Sequence, residues 1–203
     1  MSKLAVIPVT LRNGSAATIV PFESVDQVPK SLVNEMRKEY NLEVEQGNTL
    51  SQIEPLSEQE FLDYYCPKFL AILVDGEFKS TKEVADFAKT QDVGSKFLGS
   101  YYIKPNYPGR SGHNCNAGFL VSSKTRGLGI GKILGKSYLE YAPKLGYRYS
   151  VFNLVYETNQ ASARIWDQLG FERIGRVKGA GNLKDHGYTD AIIFGYDFTK
   201  KTE

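Results

Sequence analysis

Two segments of this chain carry residues whose types and spacing can do chemistry. The first is Arg126-Gly127-Leu128-Gly129-Ile130-Gly131-Lys132, set between the apolar run Gly118-Phe119-Leu120-Val121 and an amphipathic stretch from Ile133 to Leu145. It reads as a strand, a glycine turn and the first turn of a helix. The leading N–H groups of a helix have no internal partner, and the helix dipole makes that end electropositive. Glycines, having no Cβ, let a polyanion approach those amides, so a phosphate or pyrophosphate is the expected occupant. No long loop ending in Gly-Lys-Ser/Thr is present, which removes the nucleotide triphosphatase reading and its Mg²⁺ ligand. The glycine spacing also differs from a dinucleotide-binding turn, and the next strand, Tyr149 to Val155, carries no acid.

The second segment follows that strand: Asn159-Gln160-Ala161-Ser162-Ala163-Arg164-Ile165-Trp166-Asp167-Gln168-Leu169-Gly170-Phe171. Asn159 is a good N-cap, Ala161, Ile165 and Leu169 share a helical face, and Gly170 is a C-terminal stop. Together the two segments resemble the paired signatures of the GNAT N-acetyltransferases. In that superfamily the first turn (Arg/Gln-x-x-Gly-x-Gly/Ala) holds the pyrophosphate of acetyl-CoA. The implied fold is α/β: a mixed central β-sheet splayed at its middle, with helices on both faces.

The resemblance also implies where the reaction takes place. In this fold two adjacent parallel strands diverge and the pantetheine arm enters the gap. By position, the backbone amides of Phe119, Leu120 and Val121 face the thioester, with the oxyanion donor near Phe119. The phosphates lie over the amides from Arg126 to Lys132, and Ser162 joins the acetyl-CoA contacts. Asn116, Asn153 and the backbone at Leu154 are expected to hold the acceptor, because an amide side chain can bond both a carboxylate and an amine. Asn159 is expected to donate to the thioester sulfur or the leaving thiolate. Each asparagine has a plainer reading too, Asn159 as a helix cap alone and Asn116 as a fixture of the preceding loop. Trp166 departs from the family pattern: many members have a tyrosine there as the acid for the thiolate, and an indole N–H is no acid. Tyr138 and Tyr156 are weaker candidates for that acid. Glu157 is the carboxylate nearest the site, but reads more readily as a solvated loop acid, which leaves ordered water as the base.

A closer resemblance spans roughly residues 99–198. The runs Tyr102-Ile103-Lys104-Pro105-Asn106-Tyr107, His113 to Val121, Phe152-Asn153-Leu154-Val155, Thr158 to Ser162 and Asp190 to Gly195 look like the fungal N-acetyltransferases of the proline analogue L-azetidine-2-carboxylate. The implied acceptor is a small cyclic imino acid, and the implied role is detoxification of the analogue. Two rivals remain at this stage: an acetyl-CoA-binding regulatory module without catalysis, suggested by Trp166, and an N-acetyltransferase acting on protein or other amines.

The elements that position these residues follow from the rest of the chain. With 203 residues and 41% hydrophobic content, one domain over 1–203 is expected, and the resemblance implies that it is an N-acetyltransferase domain. Its parts are an N-terminal strand and two helices within 1–68, an acetyl-CoA-binding core over about 96–175, and C-terminal strands over 172–198. A net charge of +2 argues against a nucleic-acid surface, and no apolar run reaches the ~20 residues of a membrane span. Two cysteines, Cys66 and Cys115, and two histidines imply neither a disulfide framework nor a metal site. Reducing, cytoplasmic conditions fit best. The acid-free start, with Lys3 and Arg12 before Glu23, keeps mitochondrial import open, although its apolar residues look strand-like. A homodimer is an expectation from the family alone.

The spacing predicts helices over 29–40 and from the Ser57-Glu58-Gln59-Glu60 capping box. It predicts strands over 69–74, 96–103 and 116–122, separated by a polar insert with one short helix near 81–89. Strands near 172–177 and 190–198 should flank a Gly/Asn/Asp-rich loop, Lys178 to Tyr188, overhanging the acceptor pocket.

Overall fold

The computed structural model describes residues 4–66 and 68–200. In chain order the elements are β1 (Ile7–Thr10), β2 (Ala16–Phe22), α1 (Lys30–Gln46), α2 (Glu58–Tyr65), β3 (Phe69–Asp75), α3 (Thr81–Phe87), β4 (Phe97–Pro105), β5 (Asn114–Val121), α4 (Ile130–Lys144), β6 (Tyr149–Tyr156), α5 (Gln160–Gln168), β7 (Glu172–Leu183) and β8 (Gly187–Asp197). The strands form one open mixed sheet in the order β1-β2-β3-β4-β5-β6-β8-β7. Two compact units divide it: residues 1–40, 56–103 and 118–137, and residues 41–55, 104–117 and 138–203. Of the presequence reading, Lys3 lies outside the described residues, while β1 and β2 occupy the stretch read as strand.

The first unit is built on β3, Phe69-Leu70-Ala71-Ile72-Leu73-Val74, six consecutive buried residues. A strand whose two faces are both covered has every side chain removed from water, which a continuous apolar run suits. It pairs antiparallel with β2 and with β4. Leu32, Met36 and Tyr40 of α1 and Phe61 and Tyr65 of α2 are all essentially inaccessible, and Tyr65 meets the Tyr102 ring of β4 edge-on. The capping box of α2 is present: Ser57 Oγ accepts the Glu60 N–H, and the Glu60 carboxylate accepts the Ser57 N–H at 2.9 Å. The polar insert contains α3, opened by Ser80 as its N-cap.

The second unit is organised by β6, parallel to the start of β5 and antiparallel to β8. Two features of β6 matter for function. Among the described residues its ladder with β5 covers only Asn114↔Tyr149 and Cys115↔Ser150, so the parallel pair parts company soon after it begins. On its other side the register with β8 slips between Phe152 and Val155. A bulge of this kind re-aims side chains and leaves backbone groups outside the ladder. It falls on Asn153 and Leu154, both exposed on an otherwise buried strand.

One sequence expectation needs correcting. Lys178 to Tyr188 is not an overhanging loop; β7 runs on to Leu183 and β8 starts at Gly187, leaving only a tight turn. The glycines that suggested a loop serve a different purpose. A Cβ on Gly181 would meet the Tyr156 ring at 2.5 Å, so this glycine permits a close ring–backbone approach within a strand. Pairs such as Gly181↔Thr189 and Asn182↔Tyr188 then override the weak strand propensity of the segment.

Candidate functional site

The glycine turn is folded as its sequence requires. Gly127 and Gly129 have φ of 85° and 79°, a region that side-chain-bearing residues rarely adopt. The Gly129 carbonyl accepts from both the Lys132 N–H (3.1 Å) and the Ile133 N–H (3.2 Å), which makes Gly129 the effective cap of α4. The Lys132 amide, expected to face a phosphate, is therefore already engaged. The amides ahead of it, at Ile130 and Gly131, have no carbonyl four residues back within the helix and point out of its N-terminus.

Upstream, the connection from β5 to α4 is braced by a residue the sequence did not single out. Glu39 of α1 is 5% exposed, and its carboxylate accepts from Ser122 Oγ (3.0 Å), Ser123 N–H (2.9 Å) and Ser123 Oγ (3.2 Å). A buried carboxylate is tolerable only with such a full set of donors. One turn earlier, Glu35 holds Lys124 at 2.9 Å. Nothing in the local pattern distinguishes Glu39 from the solvated acids of α1; its partners lie more than 80 residues away.

Within the same unit, Gly118 is pressed against Tyr102, whose ring would lie 2.5 Å from an added Cβ. Tyr65 OH donates to the Gly118 carbonyl at 3.4 Å. Phe119, half-buried, stacks on Tyr101 with ring centroids 5.0 Å apart. Leu120 is buried and Val121 half-buried, and Ser122 N–H bonds back to Leu98 at 3.0 Å. The strand end that leads into the glycine turn is thus fixed by rings on one side and by Glu39 on the other.

The second unit holds the asparagines. Asn116, half-buried, uses its Oδ1 to accept the Ala117 N–H at 2.7 Å, which leaves its NH₂ group for another acceptor. Asn153, on the β6 bulge, exchanges two bonds with Asn106 at 2.6 and 3.3 Å. That amide pair is self-complementary, and Asn106 was not among the expected site residues. Its backbone N–H bonds to Asn114, so a loop segment is held where the β5–β6 ladder begins. Leu154 is 45% exposed, in keeping with its place on the bulge.

Asn159 does cap α5: its Oδ1 accepts the Ser162 N–H at 3.1 Å. Capping uses only the oxygen. The same residue lines a cavity of about 410 Å³ with Asn48, Thr158, Gln160, Arg164 and His186. Ser162 is engaged twice, its N–H by Asn159 and its Oγ by Trp166 Nε1 at 2.9 Å. Trp166 is 4% exposed and packs on Phe152 (4.7 Å) and Phe171 (5.3 Å). The tyrosine of the family pattern is replaced by a core residue whose one polar atom is satisfied within its own helix.

Acid–base candidates narrow accordingly. Glu157 forms a two-pronged bond with Arg176 (2.7 and 2.9 Å), which holds its carboxyl below the ordinary range. An ionised, clamped carboxylate is a poor base. Tyr138 donates to Ser150 Oγ at 2.7 Å and meets Cys115 Sγ at 3.1 Å, so its hydroxyl is used in the core. Burial raises Tyr156 above its usual value, which keeps it neutral. Burial also pushes both thiols up, Cys66 and Cys115 each to about 12, so neither supplies a thiolate nucleophile. Among the described residues no group of three or more His, Cys, Asp or Glu could hold a metal ion, and no helix is long and apolar enough to cross a membrane.

With this geometry in hand, likeness to known proteins can be weighed. The model of the acetyltransferase (GNAT) family matches residues 40–171, from within α1 to just before β7. The chain belongs to the GNAT acetyltransferase family. It is 44% identical over 160 residues to the N-acetyltransferase aca1 of Schizosaccharomyces pombe, covering 78% of this chain and 76% of that protein. It is 32% identical to Protein SPT10 of Saccharomyces cerevisiae over 96% of its own length, but spans only 36% of that longer protein. Among solved structures, the phosphinothricin acetyltransferase of Sinorhizobium meliloti in complex with acetyl-CoA aligns with a TM-score of 0.65 at 20% identity, covering 91% of this chain and 94% of that one. That likeness establishes the fold, an α/β fold with an open mixed sheet. As a family member this chain is an N-acetyltransferase.

Proposed function

We propose that the enzyme transfers an acetyl group from acetyl-CoA directly to the ring nitrogen of a small cyclic imino acid such as L-azetidine-2-carboxylate. The donor reading is supported by the turn at Gly127 and Gly129, where positive φ angles and missing Cβ atoms leave a bare cradle at the α4 N-terminus. A neutral amine attacks the thioester carbonyl carbon, the carbonyl oxygen takes up negative charge, and collapse of that intermediate breaks the C–S bond. The amine proton leaves to water and the CoA thiolate departs.

The roles follow the position of each residue in the chain. The amides at Phe119, Leu120 and Val121 receive the thioester, with Phe119 nearest the oxyanion. Arg126 and the amides from Gly127 to Gly131 take the phosphates, with the Lys132 side chain alongside. Asn116 and the Asn153–Leu154 bulge orient the acceptor. The NH₂ group of Asn159 stabilises the departing sulfur, in place of the acid that Trp166 cannot be.

The observation that carries the acceptor assignment is the Asn106–Asn153 amide pair at a register break that exposes Asn153 and Leu154, with Asn116 and Asn159 in the same compact unit. Neutral, two-sided amides suit a zwitterion carrying both an amine and a carboxylate. The test is a panel of acceptors read by thiol release from acetyl-CoA. L-Azetidine-2-carboxylate should turn over, while peptides with free N-termini or lysines should not. Turnover of the peptides alone would transfer the enzyme to the protein-modifying class.

A further inference from the structure

The acid-free stretch before Glu23 acquires a purpose in the structure. Arg12 stands in the turn between β1 and β2, and that turn is tightly bound. Leu11 N–H bonds to the Ser15 carbonyl and Gly14 N–H to the Leu11 carbonyl, both at 2.9 Å. Asn13 Oδ1 accepts the Ser15 N–H at 3.1 Å and the Ser15 hydroxyl at 2.8 Å. Leu11, 4% exposed, anchors the turn in the core. A side chain carried by such a turn is delivered to one place.

That place is the glycine turn, 115 residues further on in sequence. Arg12 Nη1 donates to the Gly127 carbonyl at 3.3 Å. Its Nε lies 2.9 Å from where a Cβ of Gly129 would be, so the guanidinium rests on bare glycine backbone. Among the described residues no carboxylate pairs with it. A carbonyl aimed into an anion site would repel the ligand, and Arg12 satisfies this one. A guanidinium has five N–H donors in a planar fork, so most remain after that bond.

We propose that Arg12 is a further binding residue for the diphosphate of the CoA thioester, closing the cradle from the β1–β2 turn opposite the α4 amides. The proposal rests on the pyrophosphate reading of that cradle and adds to it a charged group from a distant part of the chain. Arginine and phosphate oxygens form paired, charge-assisted bonds, stronger than those of neutral amides. The Gly127 contact orients the fork; the charge does the binding.

Calorimetry on the full chain tests this, with CoA, dephospho-CoA and pantetheine as ligands. Arg12→Ala should weaken CoA about tenfold, the loss of one charge-assisted contact. It should weaken dephospho-CoA equally, because the diphosphate is retained, and should leave pantetheine unchanged. Arg12→Lys should recover much of the loss, whereas Arg12→Gln, which can still bond the Gly127 carbonyl, should not. Thermal melts of all three variants report whether the fold is kept. Equal CoA affinity of Arg12→Ala and the parent would overturn the proposal while leaving the acetyl-CoA reading intact. So would full recovery by Arg12→Gln, which would make Arg12 a brace of the turn. A loss confined to CoA and absent for dephospho-CoA would move the contact to the 3′-phosphate and overturn the diphosphate assignment. Failure of the parent itself to bind CoA would remove both this proposal and the reading beneath it.

Discussion

Asn159 has two duties on two atoms, and they can be separated. Its Oδ1 caps α5 through the Ser162 N–H, while the proposed catalytic role falls to its NH₂ group. Asn159→Ala removes both, so it should cost about 1 kcal/mol of stability, the usual value of a cap, together with a fall in kcat. Asn159→Asp keeps an equally good cap and lacks the NH₂ donor. It should therefore melt with the parent yet lose kcat by about a hundred- to a thousandfold, a typical cost of one donor to developing charge. Asn116→Ala, by contrast, should raise KM for the amine with kcat largely kept. Parent-like kcat in Asn159→Asp, measured beside the melts, would reduce Asn159 to a cap. Trp166 and Ser162 show the same economy of atoms: the indole N–H ends on the Ser162 hydroxyl, and the ring is core.

Elements decide how firmly the donor turn is held. Glu39 on α1 takes three bonds from the chain between β5 and α4, and α1 reaches it only because its apolar face is fixed on the sheet. Glu39→Ala leaves Ser122 and the Ser123 amide without their acceptor, and an unsatisfied buried group costs about 1–3 kcal/mol. The variant should melt lower by that amount and bind acetyl-CoA more weakly, because the segment leading to Gly127 loses its brace. Unchanged stability in a chemical-denaturation series would contradict the brace. Elements also explain what the sequence could and could not disclose. The glycine turn of α4 and the Asn159 cap of α5 were legible because each is a local signal: a cap, a helical face, a glycine stop. Arg12, Glu39 and Asn106 were not, since their partners are supplied by other strands and helices. The residues 178–188 misled for the converse reason. Their Gly, Asn and Asp content reads as loop, but pairing with β8 and the close approach of Tyr156 to Gly181 make them strand.

At the scale of the whole molecule, the residues read for the phosphates fall in the first compact unit and the amide set falls in the second. The fold class was legible because two linked signatures imply one topology, and the open mixed sheet agrees with it. The acceptor side was harder to read, because the Asn106–Asn153 pair joins residues 47 positions apart in sequence. The central claim is direct transfer; burial of both cysteines, with thiols pushed up to about 12, disfavours the thiolate that an acetyl-cysteine intermediate would need. Initial rates with acetyl-CoA and L-azetidine-2-carboxylate varied together test it most directly. Intersecting double-reciprocal lines, with one free thiol per N-acetyl product, are the expected result. Parallel lines, or thiol release with no N-acetylated imino acid formed, would contradict it.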